Sequence, residues 1–343
     1  MLGANDKVIS RWLYAVCFFI IVLVIFGGWV RLTRSGLSMV EWKVVVGSIP
    51  PITETDWQEA FAKYQLTPEF KIINQTMTLG EYKFIYYNEY IHRMLGRFTG
   101  LLYVLPLFYF LFRGRIAWRK SAIYQVIGLG FAGQGYLGWY MVSSGLVDIP
   151  AVSHYRLTAH LVTALSLLGL TFWAALNNVY GSARPENGSE RAVPKKMAVF
   201  LVVVLLIQIS YGGLVAGLKA GYASNTWPLM YGRLIPLSIF SAIEPWWRNL
   251  IESPPAVHYV HRWFAFAVLI VAIWLYYMAK NRSFLPPILK GSKWMIAMVI
   301  VQITFGVTVI WFHVPLVLAL THQGIAISLL LIAIFLNHRL YFE

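Results

Sequence analysis

Glu89-Tyr90-Ile91-His92-Arg93 appears a second time, 169 positions later, as His258-Tyr259-Val260-His261-Arg262. Each copy opens a long apolar segment, and a histidine followed at once by an arginine places two costly polar groups at the start of a membrane helix. Other landmarks recur in the same order. Phe26-Gly27-Gly28-Trp29-Val30 and Ser35-Gly36 match Tyr211-Gly212-Gly213-Leu214-Val215 and Ala220-Gly221 at an offset of 185. Gln134 and Gly138 match Gln302 and Gly306 at an offset of 168. His160, with Ala164, Ser166, Leu167 and Leu168 behind it, matches His322, with Ala326, Ser328, Leu329 and Leu330, at an offset of 162. Aligned landmarks with shrinking offsets describe a duplicated unit whose second copy has shorter connections.

Hydrophobic residues make up 59% of the chain and charged residues 12%, which excludes an ordinary soluble globular domain and points to an integral membrane protein. The net charge of +14 does not indicate nucleic acid, because the Lys and Arg sit in short connections between apolar runs. There they read as positive-inside residues and contacts to anionic lipid. Cys17 is the single cysteine, so neither an internal disulfide nor a cysteine metal site is available. Met1 to Arg11 is short and polar and the run after it lacks a small-residue cleavage pattern, so a retained first helix is expected. With no Arg- and Ser-rich transit segment, a bacterial inner (cytoplasmic) membrane is the expected location.

A span takes about twenty apolar residues, and by that measure the chain is predicted to be all-α with eight transmembrane helices. They fall near 12–32, 92–113, 121–142, 156–177, 196–217, 258–279, 293–312 and 316–337. Lys7 and Arg11, then Arg113, Arg115, Arg119 and Lys120, then Arg184, Arg191, Lys195 and Lys196, then Lys280, Arg282, Lys290 and Lys293 all lie on one side. That side is expected to be cytoplasmic, with both termini inside and the long connections 33–91 and 218–257 outside. Four helices per copy give two parallel-repeat four-helix bundles, 1–185 and 186–343. The linker, 178–195, carries Gly181, Pro185, Gly188 and Pro194.

In the first outer connection, Trp57, Ala60, Phe61 and Tyr64 stand at helical spacing opposite Asp56, Glu59 and Lys63, an amphipathic segment suited to the membrane interface. Thr78 and Glu81 form a capping-box pattern that starts the second helix well before His92. In copy two, Ser253-Pro254-Pro255 serves as cap and first turn only two turns before His261.

His92, His160, His261 and His322 are expected near the outer ends of the second, fourth, sixth and eighth helices. Two helices of each bundle then offer one imidazole apiece, which suits a planar iron macrocycle with two axial histidines, one haem per bundle towards the outer face. Gly96, with Gly128, Gly130, Gly133, Gly135 and Gly138, removes side chains where a flat ring approaches backbone, although close helix packing explains such glycines equally. Arg93, Arg97 and Arg262 are candidate propionate contacts. His154, His258, His313 and His338 lack the pairing and read as structural. Glu89 stands one turn outward of His92, where copy two has His258. A carboxylate beside one site only implies that the first site performs chemistry and the second holds a permanent cofactor.

Gly27-Gly28-Trp29-Val30-Arg31-Leu32-Thr33-Arg34-Ser35-Gly36-Leu37-Ser38, then Trp42, Pro50-Pro51, Trp57, Tyr64-Gln65 and the Glu-x-x-His element Glu89 to His92, resemble the haem A synthase family of cytochrome oxidase assembly enzymes over nearly the whole chain. The likeness is to the branch shared by alphaproteobacteria and mitochondria, since the cysteine pair of another branch is absent. The resemblance implies oxidation of a ring methyl of haem O to a formyl group by successive hydroxylations, giving haem A. It implies His92 and His160 as iron ligands of the substrate haem, His261 and His322 as ligands of resident haem B, and Glu89 as the catalytic carboxylate. Expected partners are haem O synthase, the cytochrome oxidase assembly machinery and membrane lipid.

Two other functions use part of the same signal. A bis-histidine dihaem membrane cytochrome for quinol-linked electron transfer shares the four histidines without needing Glu89. A repeat-built transporter needs no haem, and expects interrupted helices near the membrane centre.

Overall fold

The computed structural model describes residues 6–42, 46–147, 149–181, 192–281 and 286–342. The linker residues Arg184, Pro185, Gly188 and Arg191, the boundary at 185/186, and Arg282 lie outside the described residues. Eleven α-helices occur among those described: α1 (Lys7–Leu32), α2 (Glu54–Gln65), α3 (Pro68–Ile72), α4 (Leu79–Phe112), α5 (Ala122–Ser143), α6 (His154–Tyr180), α7 (Ala192–Gly217), α8 (Asn249–Glu252), α9 (Pro254–Asn281), α10 (Pro286–Trp311) and α11 (Leu316–Phe342).

Eight of these have 22 to 34 residues and coincide with the eight predicted segments. Seven are long and apolar enough to cross a bilayer, which makes this an all-α, multi-pass membrane protein. The remaining one, α5, is long enough but carries five glycines and two glutamines in place of apolar side chains. Large apolar side chains such as Phe18, Leu105, Leu129, Ile270 and Val317 stand exposed along the helices, as lipid-facing residues do.

The 34 residues of α4 amount to about 50 Å of helix against roughly 30 Å of hydrocarbon, so several turns extend beyond the lipid. Its start is fixed by the Thr78–Glu81 capping box, as the sequence indicates. A second box, Thr53 with Asp56, starts α2, and the backbone and side-chain N–H and O–H donors of Thr53 hold the Asp56 carboxyl below its usual range. The amphipathic character of α2 is as expected, but its apolar face meets protein rather than lipid. Trp57 and Tyr64 are buried with Tyr82, Ile85 and Tyr86 of α4 and with Met39. Trp57 stands edge-on to Tyr86 at 5.0 Å, and Tyr64 stacks on Tyr82 at 5.0 Å. The projecting turns of α4 supply the apolar surface that amphipathicity alone leaves unassigned. Burial there pushes the Tyr64 phenol up.

By contacts the chain forms two compact units, one Val16–Ala164, the other Met1–Ala15 with Leu165–Glu343. In the first, the Tyr103 hydroxyl donates to the Tyr124 carbonyl at 2.7 Å and ties α4 to α5. In the second, the Asn178 amide donates to the Asp6 carbonyl at 2.8 Å, and buried His338 pairs with Asn177 at 3.0 Å against the edge of Trp173. That confirms a packing role for His338.

Candidate functional site

Each of the four paired histidines rests on a glycine of a neighbouring helix. His92 of α4 covers Gly27 of α1, where a Cβ would stand 3.1 Å from Nε2, and the Phe26 ring lies nearly parallel to the imidazole at 6.3 Å. His160 of α6 covers Gly138 of α5, with a Cβ 3.2 Å from Cε1. His261 of α9 covers Gly212 of α7 at 3.3 Å, and His322 of α11 covers Gly306 of α10 at 3.1 Å. These four glycines are therefore seats for imidazoles; the sequence left Gly138 open between packing and ring approach and gave Gly27, Gly212 and Gly306 only as landmarks of the repeat. Gly128 packs on Tyr103, whereas a Cβ on Gly96, Gly133 or Gly135 would meet nothing within 4 Å.

Amides and carbonyls orient the rings. Gln134 Nε2 donates to the His160 carbonyl at 2.8 Å, and Gln208 Nε2 to the His261 carbonyl at 3.0 Å while lying 3.2 Å from His261 Nδ1. Gln302 Nε2 lies 3.3 Å from His322 Nε2, and His92 bonds to the backbone of Leu23. Gln208 escaped the repeat analysis because Leu23 occupies its place in copy one, where a backbone carbonyl serves instead.

Within each unit the histidines meet in pairs. His261 and His322 have ring centroids 6.5 Å apart, with planes at 78°. Two metal–nitrogen bonds of about 2 Å, plus ~1.2 Å from each ring nitrogen to its centroid, require about 6.4 Å. The centroid spacing is of that length, with His322 Nε2 turned towards Gln302. His92 lies close enough to His160 to act on it electrostatically, the counterpart of the His322–His261 interaction. Nδ1 of His160 and Nδ1 of His322 are buried without a hydrogen-bond partner, an expense that ligation or a ring flip onto a ligand relieves. Among the described residues no three His, Cys, Asp or Glu side chains converge on a point, so each pair presents two imidazoles.

Glu89 is buried, not a solvated charge at a helix start. Its Oε2 accepts from Ser38 Oγ at 2.7 Å and from the Met39 amide at 2.9 Å, and Oε1 accepts from Arg93 Nη2. All three partners are donors, the pattern an ionised carboxylate takes.

Arg93 also donates to the carbonyls of Met39 at 3.1 Å and Glu41 at 3.3 Å, with its guanidinium 4.3 Å over the Trp42 ring. Arg262 donates at 2.8 Å to the carbonyls of Ser224 and Thr226, lies 6.0 Å over Trp227, and gives its Nε hydrogen to His258 Nε2 at 3.0 Å. Ser224, Thr226 and Trp227 follow Met39, Glu41 and Trp42 by the same 185 positions that separate the paired glycines. The brace is alike in both halves; what it holds differs. Glu89 and Ser38 of the first site are replaced by His258 and Ala223 in the second. Arg97 contacts the Gly47 carbonyl at 3.4 Å and Met94 Sδ at 3.3 Å. Sequence reasoning missed Ser38 as a partner of Glu89, and its only signal was its place in the run that begins at Gly27.

Long apolar helices that present two pairs of glycine-seated imidazoles define a multi-pass membrane protein. Residues 10–334 match the family described as "Cytochrome oxidase assembly protein", and the chain belongs to that family. It is 39% identical to a Flavobacterium psychrophilum protein named "Heme A synthase", with 98% of each chain covered. It is 40% identical to one of the same name from Brucella ovis, covering 96% of this chain and 91% of the relative. With the Nitrosospira multiformis protein of that name it shares 41% identity over 98% of this chain and 94% of the relative.

Proposed function

We propose that this protein is a haem A synthase, an oxidoreductase that converts the ring methyl of haem O to the formyl group of haem A. Family membership and the full-length likeness to proteins of that name support the activity. The observation that carries the assignment to one site is the buried Glu89 beside His92, with no carboxylate at the matching position His258.

In this reading His92 and His160 hold the substrate haem O, and His261 and His322 hold haem B. Haem B, when bound, supplies one-electron transfer. Methyl to formyl is a four-electron oxidation that passes through two hydroxylations and loss of water from a gem-diol. Glu89 stabilises positive charge developing at the reacting carbon and takes the proton of an attacking water. Arg93 and Arg262 brace the outer loops and, with Arg97, stand as the cationic rim towards the haem propionates.

The finer architecture follows the same reading: eight transmembrane helices as two parallel four-helix repeats, 1–185 and 186–343. The matched histidine–glycine seats and arginine braces support it. The cations of the short connections favour a bacterial inner membrane with both termini cytoplasmic and the haem sites towards the outer face. Haem O synthase, as the source of substrate, and the oxidase assembly machinery, as the recipient of product, are the partners this chemistry requires.

The test is to incubate purified protein with haem O and weigh the extracted haems. Conversion of the methyl to a formyl is expected. Bound haem that gains no mass would instead leave an electron-transfer cytochrome.

A further inference from the structure

The carboxylate at the first site is not held by its own helix alone. Ser38 and Met39 lie in the connection after α1, and both deliver a hydrogen to the same oxygen, Glu89 Oε2. Ser38 Oγ has one proton and three acceptors in reach: Glu89 Oε2 at 2.7 Å, the Ser35 carbonyl at 3.0 Å and the Ile85 carbonyl at 3.2 Å. The carboxylate is the nearest and the charged one, so it takes the proton. Ser38 is fully buried and Glu89 is 3% exposed, so water does not substitute for either partner. The turn is fixed from behind by the Tyr82 hydroxyl, which stands 3.3 Å from the Ser38 carbonyl and 3.2 Å from that of Ala60 on α2. In the second half, Ala223 stands in place of Ser38 and His258 in place of Glu89, while the arginine brace is kept. The hydroxyl is present where the carboxylate is present and missing where it is missing.

We infer that Ser38 is a positioning residue for the oxidation, which fixes the side-chain direction of Glu89 through the Oγ–Oε2 hydrogen bond. The inference rests on the reading of Glu89 as the catalytic carboxylate. Two of the three donors to Glu89 remain without Ser38, the Met39 amide on Oε2 and Arg93 on Oε1, so the acid stays buried, but Oε2 loses the shorter of its two hydrogen bonds and is held less tightly. The defect therefore falls on turnover and not on haem binding, because Ser38 touches neither histidine of the pair in the described contacts.

The experiment compares Ser38→Ala, Ser38→Thr and Ser38→Cys with the unaltered full-length protein, reading haem content by pigment extraction, KM for haem O and kcat for haem A formation. Ser38→Ala is expected to keep haem content and KM and to lose about tenfold to a hundredfold in kcat, the size of a hydrogen bond to a charged group. Ser38→Thr keeps the hydroxyl and restores turnover, and Ser38→Cys, a weaker donor of similar size, falls between. Unchanged kcat in the alanine or cysteine variant overturns the inference. So does a parallel loss of haem content and turnover that threonine fails to rescue, since that marks a purely structural turn. Glu89→Gln measured alongside separates the two levels. If it converts haem O, the reading of Glu89 falls; if it is inactive while Ser38→Ala and Ser38→Cys work normally, only the role of Ser38 falls.

Discussion

Glu89 and Arg93, one turn apart on α4, form an ion pair whose side chains are 4% and 8% exposed. A buried pair of this kind is costly to break from one side, because the remaining charge is left without its partner. The pair is also completed from outside the helix, by Ser38, the Met39 amide and the carbonyls of Met39 and Glu41. It therefore joins the helix that carries His92 to the loop that covers it.

Glu89→Ala is expected to keep haem binding and abolish aldehyde formation, while lowering stability by about 3 kcal/mol through the unpaired guanidinium. Thermal melts and haem analysis on the same sample check both. Glu89→Gln retains the shape and hydrogen-bonding capacity, so it should lose activity at a smaller cost in stability. Haem A made by either variant would remove Glu89 from the mechanism.

His261→Ala is expected to lose the resident haem B, since His322 alone supplies one axial ligand. The pigment of the purified variant decides the matter, and haem B content equal to that of the parent refutes the assignment.

Gly138→Ala and Gly306→Ala place a methyl 3.2 and 3.1 Å from the rings of His160 and His322. Each should tilt its imidazole and cost about 1–3 kcal/mol of strain, seen as a shifted absorption band and weaker retention of the haem at that site only. Gly133→Ala, with open space around it, should leave the stability of the haem-free protein unchanged.

Trp57→Ala removes the buried ring that docks α2 on α4 and is expected to cost about 3–5 kcal/mol. Because Tyr82 contacts both Ala60 and Ser38, the loss should also lower the rate of haem A formation, with haem content largely kept. A variant with lowered melting temperature and full turnover would show that the α2 cap does not act on the first site.

The parts of the site legible in the sequence were those written in local or repeated patterns. The four histidines, their glycines and Glu89 stand at repeating offsets, and Thr78 with Glu81 announces the start of α4 within four residues. Ser38 lies 51 positions from Glu89, and nothing in its neighbours says that its hydroxyl turns towards a helix. The partners of Arg93 and Arg262 are backbone carbonyls, which have no signature in residue type, so the sequence offered both arginines as propionate contacts without showing that their donors are directed at the loops. For α2 the amphipathic pattern gave the helix and its buried face, but not the tyrosines of α4 that cover it. For α5, one of the glycines that lower its apolarity, Gly138, is what allows His160 to come close.

The arginine that grips two loop carbonyls over a tryptophan has survived in both halves with different neighbours. Such a frame lets the groups it supports be exchanged without rebuilding the fold, so reactivity can be gained or silenced by editing a couple of side chains. In that sense the chain carries one pattern in two versions, which differ where an acid and a hydroxyl stand in the first and an imidazole and a methyl in the second.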